Sequence, residues 1–434
     1  MTYEETLAFL YERLPMFSRI GSMAVKPGLD NIEILCNSLG NPQSAFPCIH
    51  VAGTNGKGSV SHMLASVLMA CGYRTGLYTS PHLRDFRERI RIDGEMMPAD
   101  DIVSFTQRIL PDIEALSPSF FEITVAMAFH HFAERKVDVA VIETGLGGRL
   151  DSTNIVMPEV SVITNIGWDH MNLLGDTLPA IAAEKAGIIK PGVPVVIGEP
   201  EEETLPVFER RAADQGARLT LAPSLRELLQ SELLGQTLRV TTRVLKGDLE
   251  AWDLDLTGAY QSRNLLTVLA TLDTLREQGW RLDPEAVREG LRRAAALTGL
   301  QGRWQMIRRS PRIVLDVAHN EPGIRELLRQ LADTPYERLH IVTGMVRDKD
   351  VSAVIRLLPR DAWYYFTRAG IPRAMPEKEL RERAAEAGLP GEDYPDVDAA
   401  LGAALSAAGP SDLILVCGSV FLVGEVDITR YADA

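Results

Sequence analysis

Cysteine is scarce: four residues in 434, at Cys36, Cys48, Cys71 and Cys417. None lies in a C-x-x-C pair, which argues against a zinc knuckle or a thioredoxin-type motif. Sparse, unpatterned thiols fit a reducing cytosol better than a disulfide-stapled secreted fold. There is no stretch of about 18 uncharged apolar residues, so no membrane-spanning helix is expected. The N-terminus, MTYEETLAFLYERL, lacks the basic start and apolar centre of a signal peptide. These features set the expectation of a soluble, cytoplasmic protein. Basic residues are also in deficit, 45 Lys and Arg against 59 Asp and Glu, for a net charge of −14. The sequence therefore lacks the basic footprint that nucleic acid or an anionic membrane requires, and partners are expected to be small molecules. An anion held by a few Lys, Arg or backbone N–H groups stays compatible with that charge. Glycine (34) and proline (25) are too few for a collagen-like or low-complexity chain.

What is present is ordinary globular composition, 46% hydrophobic and 24% charged, in a chain long enough for two or three domains of about 100–200 residues. Amphipathic patterning predicts helices over 3–14 and Asp30–Leu39, the latter stopped by Gly40-Asn41-Pro42. Apolar runs then alternate with helical segments. Strands are expected at Cys48–Ala52, Thr75–Thr79, Val137–Ile142, Val160–Thr164 and Val193–Ile197. Helices are expected from the turn after Ala52 to Ala70, and over Ile102–Leu110, Ile123–Ala133 and Ile181–Ile188. That rhythm predicts a doubly wound, mostly parallel sheet. Residues 236–257 alternate polar and apolar and read as an antiparallel excursion, followed by helices near 262–276 and 284–295. A boundary is expected at Leu297-Thr298-Gly299, dividing the chain into domains 1–297 and 298–434. Beyond it the rhythm resumes, with strands at Ile313–Asp316, Leu339–Thr343, Trp363–Thr367 and Leu413–Cys417 predicting a smaller, Rossmann-like α/β domain.

The most informative stretch is His50-Val51-Ala52-Gly53-Thr54-Asn55-Gly56-Lys57-Gly58-Ser59. A strand runs into a glycine-rich turn and then a helix, so backbone N–H groups and the helix N-terminus can face one anion. Lys57 can reach β/γ-phosphates, and a hydroxyl at this place commonly ligates Mg²⁺. The spacing departs from G-x-x-x-x-G-K-[ST], since Gly58 separates Lys57 from Ser59. Glu143 ends an apolar strand, where a Walker-B-type acid would stand. Gly145, Gly147 and Gly148 do not make a dinucleotide fingerprint, because position 150 is Leu. Taken alone, His170 reads as structural or exposed, Lys185 as a solvated helix lysine, Arg303 as a surface arginine and Asp316 as a helix cap. Phe121 suits either a helix core or a face for stacking on a flat heterocycle.

Four motifs together, GTNGKGS at Gly53–Ser59, YTSPHL at Tyr78–Leu83, ETGLGGRLDSTN at Glu143–Asn154 and DVAHN at Asp316–Asn320, resemble the folylpolyglutamate synthase and dihydrofolate synthase family of the Mur ligase superfamily. The resemblance runs from about residue 20 to 425. It implies ATP-dependent addition of L-glutamate to the γ-carboxylate of a folate through an acyl phosphate. Formation of dihydrofolate from dihydropteroate is left open as a second reaction. ATP and two Mg²⁺ ions are the implied cofactors, and the expected state is a monomer. Gly53, Thr54, Asn55, Gly56, Lys57, Gly58 and Ser59, with Asn264, Arg303 and Asp316, would bind ATP. Ser59, Ser80, Glu143, His170 and a carbamylated Lys185 would serve metal. Ala24, Val25, Phe121, Glu122, Leu150, Asp151 and Ser152 would meet the folate. His319 and Ser419 would meet the incoming glutamate. Lys57, Lys185, Asp316 and His319 are the implied catalytic groups, and the second domain would have to close to complete the site. Two other readings are a Mur-type ligase acting on a peptidoglycan nucleotide or a different amino acid, and a P-loop nucleotide switch that forms no amide. Val25-Lys26-Pro27-Gly28-Leu29 departs from an I-D-x-G-L pattern common in bifunctional members. Lysine has only donors to offer a pterin, so dihydropteroate is expected to be the poorer substrate.

Overall fold

A computed structural model describes residues 1–16, 21, 26, 28–245, 247–347 and 351–433. The backbone separates into two compact units, Met1–Asp255 with Tyr260–Leu300, and Leu256–Ala259 with Gln301–Ala434. The crossing into the second unit thus falls between Leu300 and Gln301, and the four residues Leu256–Ala259 also belong to that unit. Within it, Thr257 donates to the Trp304 carbonyl at 2.9 Å, and the Ala259 N–H donates to Gln330 Oε1.

The first unit is built on an eight-stranded sheet. Its strands are β1 (Cys48–Ala52), β2 (Thr75–Tyr78), β3 (Ile90–Ile92), β4 (Glu95–Met96), β5 (Val139–Glu143), β6 (Val160–Ile163), β7 (Val195–Ile197) and β8 (Leu219–Leu221). Their order is β4-β3-β2-β5-β1-β6-β7-β8. The strands from β2 through β8 run parallel, while β3 and β4 form an antiparallel edge. Every residue of β1, β2, β5, β6 and β7 is buried, the mark of parallel strands covered on both faces.

β5 starts and ends later than the apolar run Val137–Ile142 suggests. Val137 N–H is used to close the preceding helix on the Phe132 carbonyl, and Asp138 N–H goes to Arg74. The antiparallel excursion also starts earlier than expected. Strands β9 (Arg226–Leu234), β10 (Thr237–Val244) and β11 (Leu249–Leu254) form a separate sheet in the order β11-β10-β9. β9 is exposed over most of its length, so it shows no apolar alternation to read.

The helix Lys57–Ala70 is buried over nearly all of its length. Helix Pro284–Arg292 packs on it so closely that a Cβ at Gly290 would lie 2.6 Å from Val67 Cα, and Ser66 Oγ donates to the Gly290 carbonyl at 2.7 Å. Gly290→Ala is therefore expected to destabilise the protein by about 1–3 kcal/mol through overpacking against backbone. A urea midpoint unchanged from the parent would show that the two helices separate freely.

The second unit carries β12 (Gln305–Arg309), β13 (Arg312–Leu315), β14 (Leu339–Thr343), β15 (Trp363–Phe366), β16 (Gly391–Asp393) and β17 (Leu413–Cys417). They are ordered β12-β13-β17-β14-β15-β16, with only β12 antiparallel. Among the described residues no helix is long and apolar enough to cross a membrane.

Candidate functional site

Four neighbouring parallel strands, β2, β5, β1 and β6, end on the same edge of the first sheet. From β1 the chain moves to β2 and β5 on one side of β1 and later to β6 on the other, so this edge is a topological switch point, the usual ligand position of such sheets. The register sets Val51 beside Glu143 and Ala52 beside Ile163. The turn Gly53–Gly56, the Glu143 carboxylate and the residues after β6 are therefore neighbours by construction.

The turn is set by two glycines with positive φ, Gly53 at 151° and Gly56 at 83°. A Cβ at Gly53 would stand 1.8 Å from Thr164 Oγ1, and one at Gly56 would stand 2.4 Å from Asn264 Oδ1. A side chain at either place would be strained and would displace the neighbouring Thr164 or Asn264 side chain. The loop is laced to the end of β6. The N–H groups of Thr54 and Asn55 donate to the carbonyl and Oδ1 of Asn165, at 3.0 and 2.9 Å, and Thr164 Oγ1 donates to the Asn55 carbonyl at 2.6 Å. Those two N–H groups thus face the protein. The anion-directed donors left by geometry are the first N–H groups of the helix, at Lys57, Gly58 and Ser59, which have no intrahelical acceptor.

Two lysines turn to one carbonyl. Lys57 Nζ donates to the carbonyls of Gly53 (3.1 Å) and Thr54 (3.2 Å), and Lys185 Nζ donates to Gly53 O at 2.9 Å. Lys185 lies on helix Leu178–Ala186 and is 3% exposed, so it is no solvated helix lysine. Burial, and then the neighbouring Lys57 charge, lower its pKa to about 7. A large fraction of its amine is accordingly neutral near physiological pH.

Behind the loop, Asn264 Nδ2 donates to Gln261 Oε1 (2.8 Å), and Gln261 Nε2 donates to Ser59 Oγ (3.1 Å). Gln261 is fully buried. An isolated Gln at a helix start carries no motif of its own, so nothing in the sequence singles it out. Glu199 likewise had no sequence signal, yet it joins Asn165 (3.0 Å) to Arg263 (2.8 Å).

For metal, Ser80 N–H donates to Glu143 Oε2 at 3.2 Å, which joins the ends of β2 and β5. His170 adopts φ 50°, its own N–H donating to Asp169 Oδ1 at 2.9 Å and its Nε2 lying 3.8 Å from that oxygen. Among the described residues no three His, Cys, Asp or Glu side chains gather as a metal cage. One carboxylate, Ser hydroxyls and a glycine-built cradle suit Mg²⁺, which keeps waters and takes further oxygens from phosphates.

On the expected folate side, the Phe121 ring lies over Gly145, where a Cβ would meet it at 2.5 Å, and it is 6.2 Å from the Tyr78 ring. Glu122 is used locally: its Oε2 accepts from Ser119 N (2.6 Å) and Oγ (2.8 Å), closing a capping box on helix Phe120–Glu134. Asp151 is also turned inward. One of its carboxylate oxygens takes the N–H groups of Gly145 and Leu146, and the other takes the N–H and hydroxyl of Thr153. Burial raises its pKa against the pull of these donors. Leu150 is exposed, and Ser152 opens a helical turn, Ser152–Ile155. Ala24 and Val25 lie outside the described residues. Lys26 donates to the Ser117 carbonyl.

In the second unit, the Asp316 carboxylate follows β13 and accepts from Trp304 N and Ala318 N, each at 2.9 Å. Arg303 bonds the Gly302 carbonyl at 3.3 Å. His319 Nδ1 donates to the Val317 carbonyl at 2.9 Å, which places its proton there. Ser419 follows β17 and caps helix Val420–Gly424.

A glycine-built turn between a buried parallel strand and a helix, with a lysine at the helix start, defines a P-loop α/β protein. The Mur ligase middle domain family matches residues 51–272, and the Mur ligase glutamate ligase domain matches residues 302–420. Folylpolyglutamate synthase of Lacticaseibacillus casei is 35% identical over 436 residues, covering 98% of each chain. Dihydrofolate synthase/folylpolyglutamate synthase of Bacillus subtilis is 33% identical over 434 residues, again covering 98% of each. A solved structure of E. coli FolC in complex with DHPP and ADP superposes with a TM-score of 0.86 at 31% identity, over 99% of this chain and 98% of that one. The chain belongs to the folylpolyglutamate synthase/dihydrofolate synthase family of Mur ligases.

Gly56→Ala forces a methyl group onto the Asn264 amide at a backbone angle that L-residues rarely adopt. It is expected to weaken ADP binding at least about tenfold, measured by calorimetry, without unfolding the protein. Unchanged affinity would mean that the turn does not shape the nucleotide site.

Proposed function

We propose that the protein is an ATP-dependent ligase that joins L-glutamate, through an amide bond, to the γ-carboxylate of a reduced folate. The observation that carries this reading is the cradle at Gly53–Ser59 with the Nζ groups of two lysines, Lys57 and Lys185, drawn to its first carbonyl. It is a positive centre built for phosphate in a protein whose net charge is −14.

In this reading the helix N–H groups of Lys57–Ser59 hold the phosphates, and the Lys57 ammonium leaves its carbonyls to balance charge on the transferring phosphoryl group. The folate γ-carboxylate attacks that phosphorus and forms an acyl phosphate, with ADP leaving. The amine of free glutamate then attacks the acyl carbon, expelling phosphate and losing a proton. Mg²⁺, when bound, lowers the charge of the phosphate oxygens, and Ser59, Ser80, Glu143 and His170 are the residues we assign to it. Gln261 keeps the Ser59 hydroxyl in place, and Asn264 backs the turn beside the nucleotide. Phe121, seated on Gly145, offers its partly exposed ring to the pterin or benzoyl face. In the second unit, Asp316 sets the turn that carries Arg303 and His319, and His319 and Ser419 serve the incoming glutamate. A monomer working in the cytoplasm fits this chemistry.

The decisive experiment is ADP release with ATP and Mg²⁺ against a panel of dihydropteroate, tetrahydrofolate and L-glutamate. Release is expected only when a pteroyl acceptor and glutamate are both present, with tetrahydrofolate preferred and Lys57→Ala inactive but folded. Release that ignores both acceptors would indicate a nucleotide switch and sink the proposal.

Lys185 gives a separate test. Its neutral amine can add CO₂, forming a carbamate and releasing a proton, which would place an anion beside Lys57, able to approach Mg²⁺. With a pKa of about 7, the reactive amine dominates at pH 8 and is the minor form at pH 6. Bicarbonate should therefore stimulate CO₂-depleted enzyme more at pH 8 than at pH 6. A carbamate carbon from ¹³C-bicarbonate should be visible by NMR and absent in Lys185→Ala. A signal that persists in that variant would remove Lys185 from this role.

A further inference from the structure

His50 lies in the middle of β1, fully buried, three residues before Gly53. Its Nε2 is 2.8 Å from Thr153 Oγ1, and Thr153 Oγ1 in turn donates to Asp151 Oδ1. Asp151 Oδ2 accepts from Gly145 N at 2.9 Å and Leu146 N at 2.8 Å. The direction of every bond is fixed. The carboxylate only accepts, so the Thr153 proton points to it, and the Thr153 oxygen must receive a proton from His50. His50 thus carries its proton on Nε2, leaving Nδ1 a bare nitrogen, and that atom is buried with no hydrogen-bond partner among the described residues. Leaving a buried nitrogen unsatisfied costs stability, and its persistence beside a complete chain on the other nitrogen asks for a return elsewhere.

We propose that His50 and Thr153 are positioning residues that act through Asp151 to fix the Gly145–Leu146 turn, and with it the seat of the Phe121 ring that receives the folate. Besides the packing of Leu146 on the core, the restraints on this turn are hydrogen bonds from its backbone. Thr144 N–H bonds to β1 at Val51, and beyond it the Asp151 carboxylate takes the next two N–H groups. Gly145 is in contact with Phe121, since even a methyl group there would lie 2.5 Å from the ring. A shift of the turn therefore moves the floor under the aromatic face. The phosphate turn is held instead by Thr164 and Asn165 on the other side of β1. The relay thus bears on acceptor binding and leaves nucleotide binding alone. This inference rests on the assignment of Phe121 to the folate.

Thr153→Val keeps the shape of the side chain and removes both hydrogen bonds; Thr153→Ser restores the hydroxyl. The expected result for Thr153→Val is a KM for tetrahydrofolate raised about tenfold, the loss of a hydrogen bond to a charged group. KM for ATP should stay within about twofold, and Thr153→Ser should recover most of the change. A variant that raises both KM values alike, or neither, would overturn the relay and leave Thr153 a merely structural residue. His50 can be read without turnover, by ¹⁵N NMR of histidine-labelled parent protein. A protonated Nε2 with a bare Nδ1 supports the chain, and the opposite tautomer overturns it. Should the parent turn over no folate at all, the proposed function fails, while the tautomer still decides the relay.

Discussion

One carbonyl oxygen organises the first unit. Gly53 O stands at the end of a fully buried strand and accepts from both Lys57 and Lys185. It can do so because Gly53 takes a φ of 151° and because no Cβ stands between it and Thr164. Everything around that oxygen is arranged to hold the turn: Asn165 fastens its two middle N–H groups, Thr164 one of its carbonyls, and Asn264 presses on Gly56 from behind. Two cations at one acceptor repel each other, and burial alone already disfavours the charge on Lys185. The turn is therefore a place of stored positive potential in an otherwise acidic protein, relieved by an anion or by loss of one charge.

Much of this was legible in the residues. Glycine, lysine and hydroxyl in the order strand, turn and helix are hard to place anywhere but on a phosphate, and the mostly apolar runs of β1, β5 and β6 read directly as buried parallel strands. Motif resemblance singled out Lys185, for which helical context alone suggested a solvated side chain; its burial beneath the turn depends on how helix Leu178–Ala186 packs, which no local pattern states. Gln261, Glu199 and His50 were invisible for the same reason. Each is an ordinary polar residue whose meaning lies in a partner more than 30 positions away, brought near by the fold.

The acidic residues show the limit from the other side. Glu122 and Asp151 stand in segments that family resemblance links to the pterin, yet their carboxylates turn to their own backbone, one closing a capping box and the other a loop. Short-range donors three to six residues away compete well for a buried carboxylate, because an unmet N–H costs as much as an unmet acceptor. A motif can thus mark a segment correctly while the side chain it names acts on the segment's shape.

The chain enters the second unit twice, first as Leu256–Ala259 and finally at Gln301. Thr257 and Ala259 both supply hydrogen bonds there, to Trp304 and Gln330. The C-terminal α/β unit is consequently not a cassette that a single cut releases. A gene fragment beginning at Gln301 would leave behind four residues of the unit's own structure. Recombination that exchanges this unit between relatives has two junctions to respect, and the stretch between them, Tyr260–Leu300, contains Gln261 and Asn264, which back the phosphate turn.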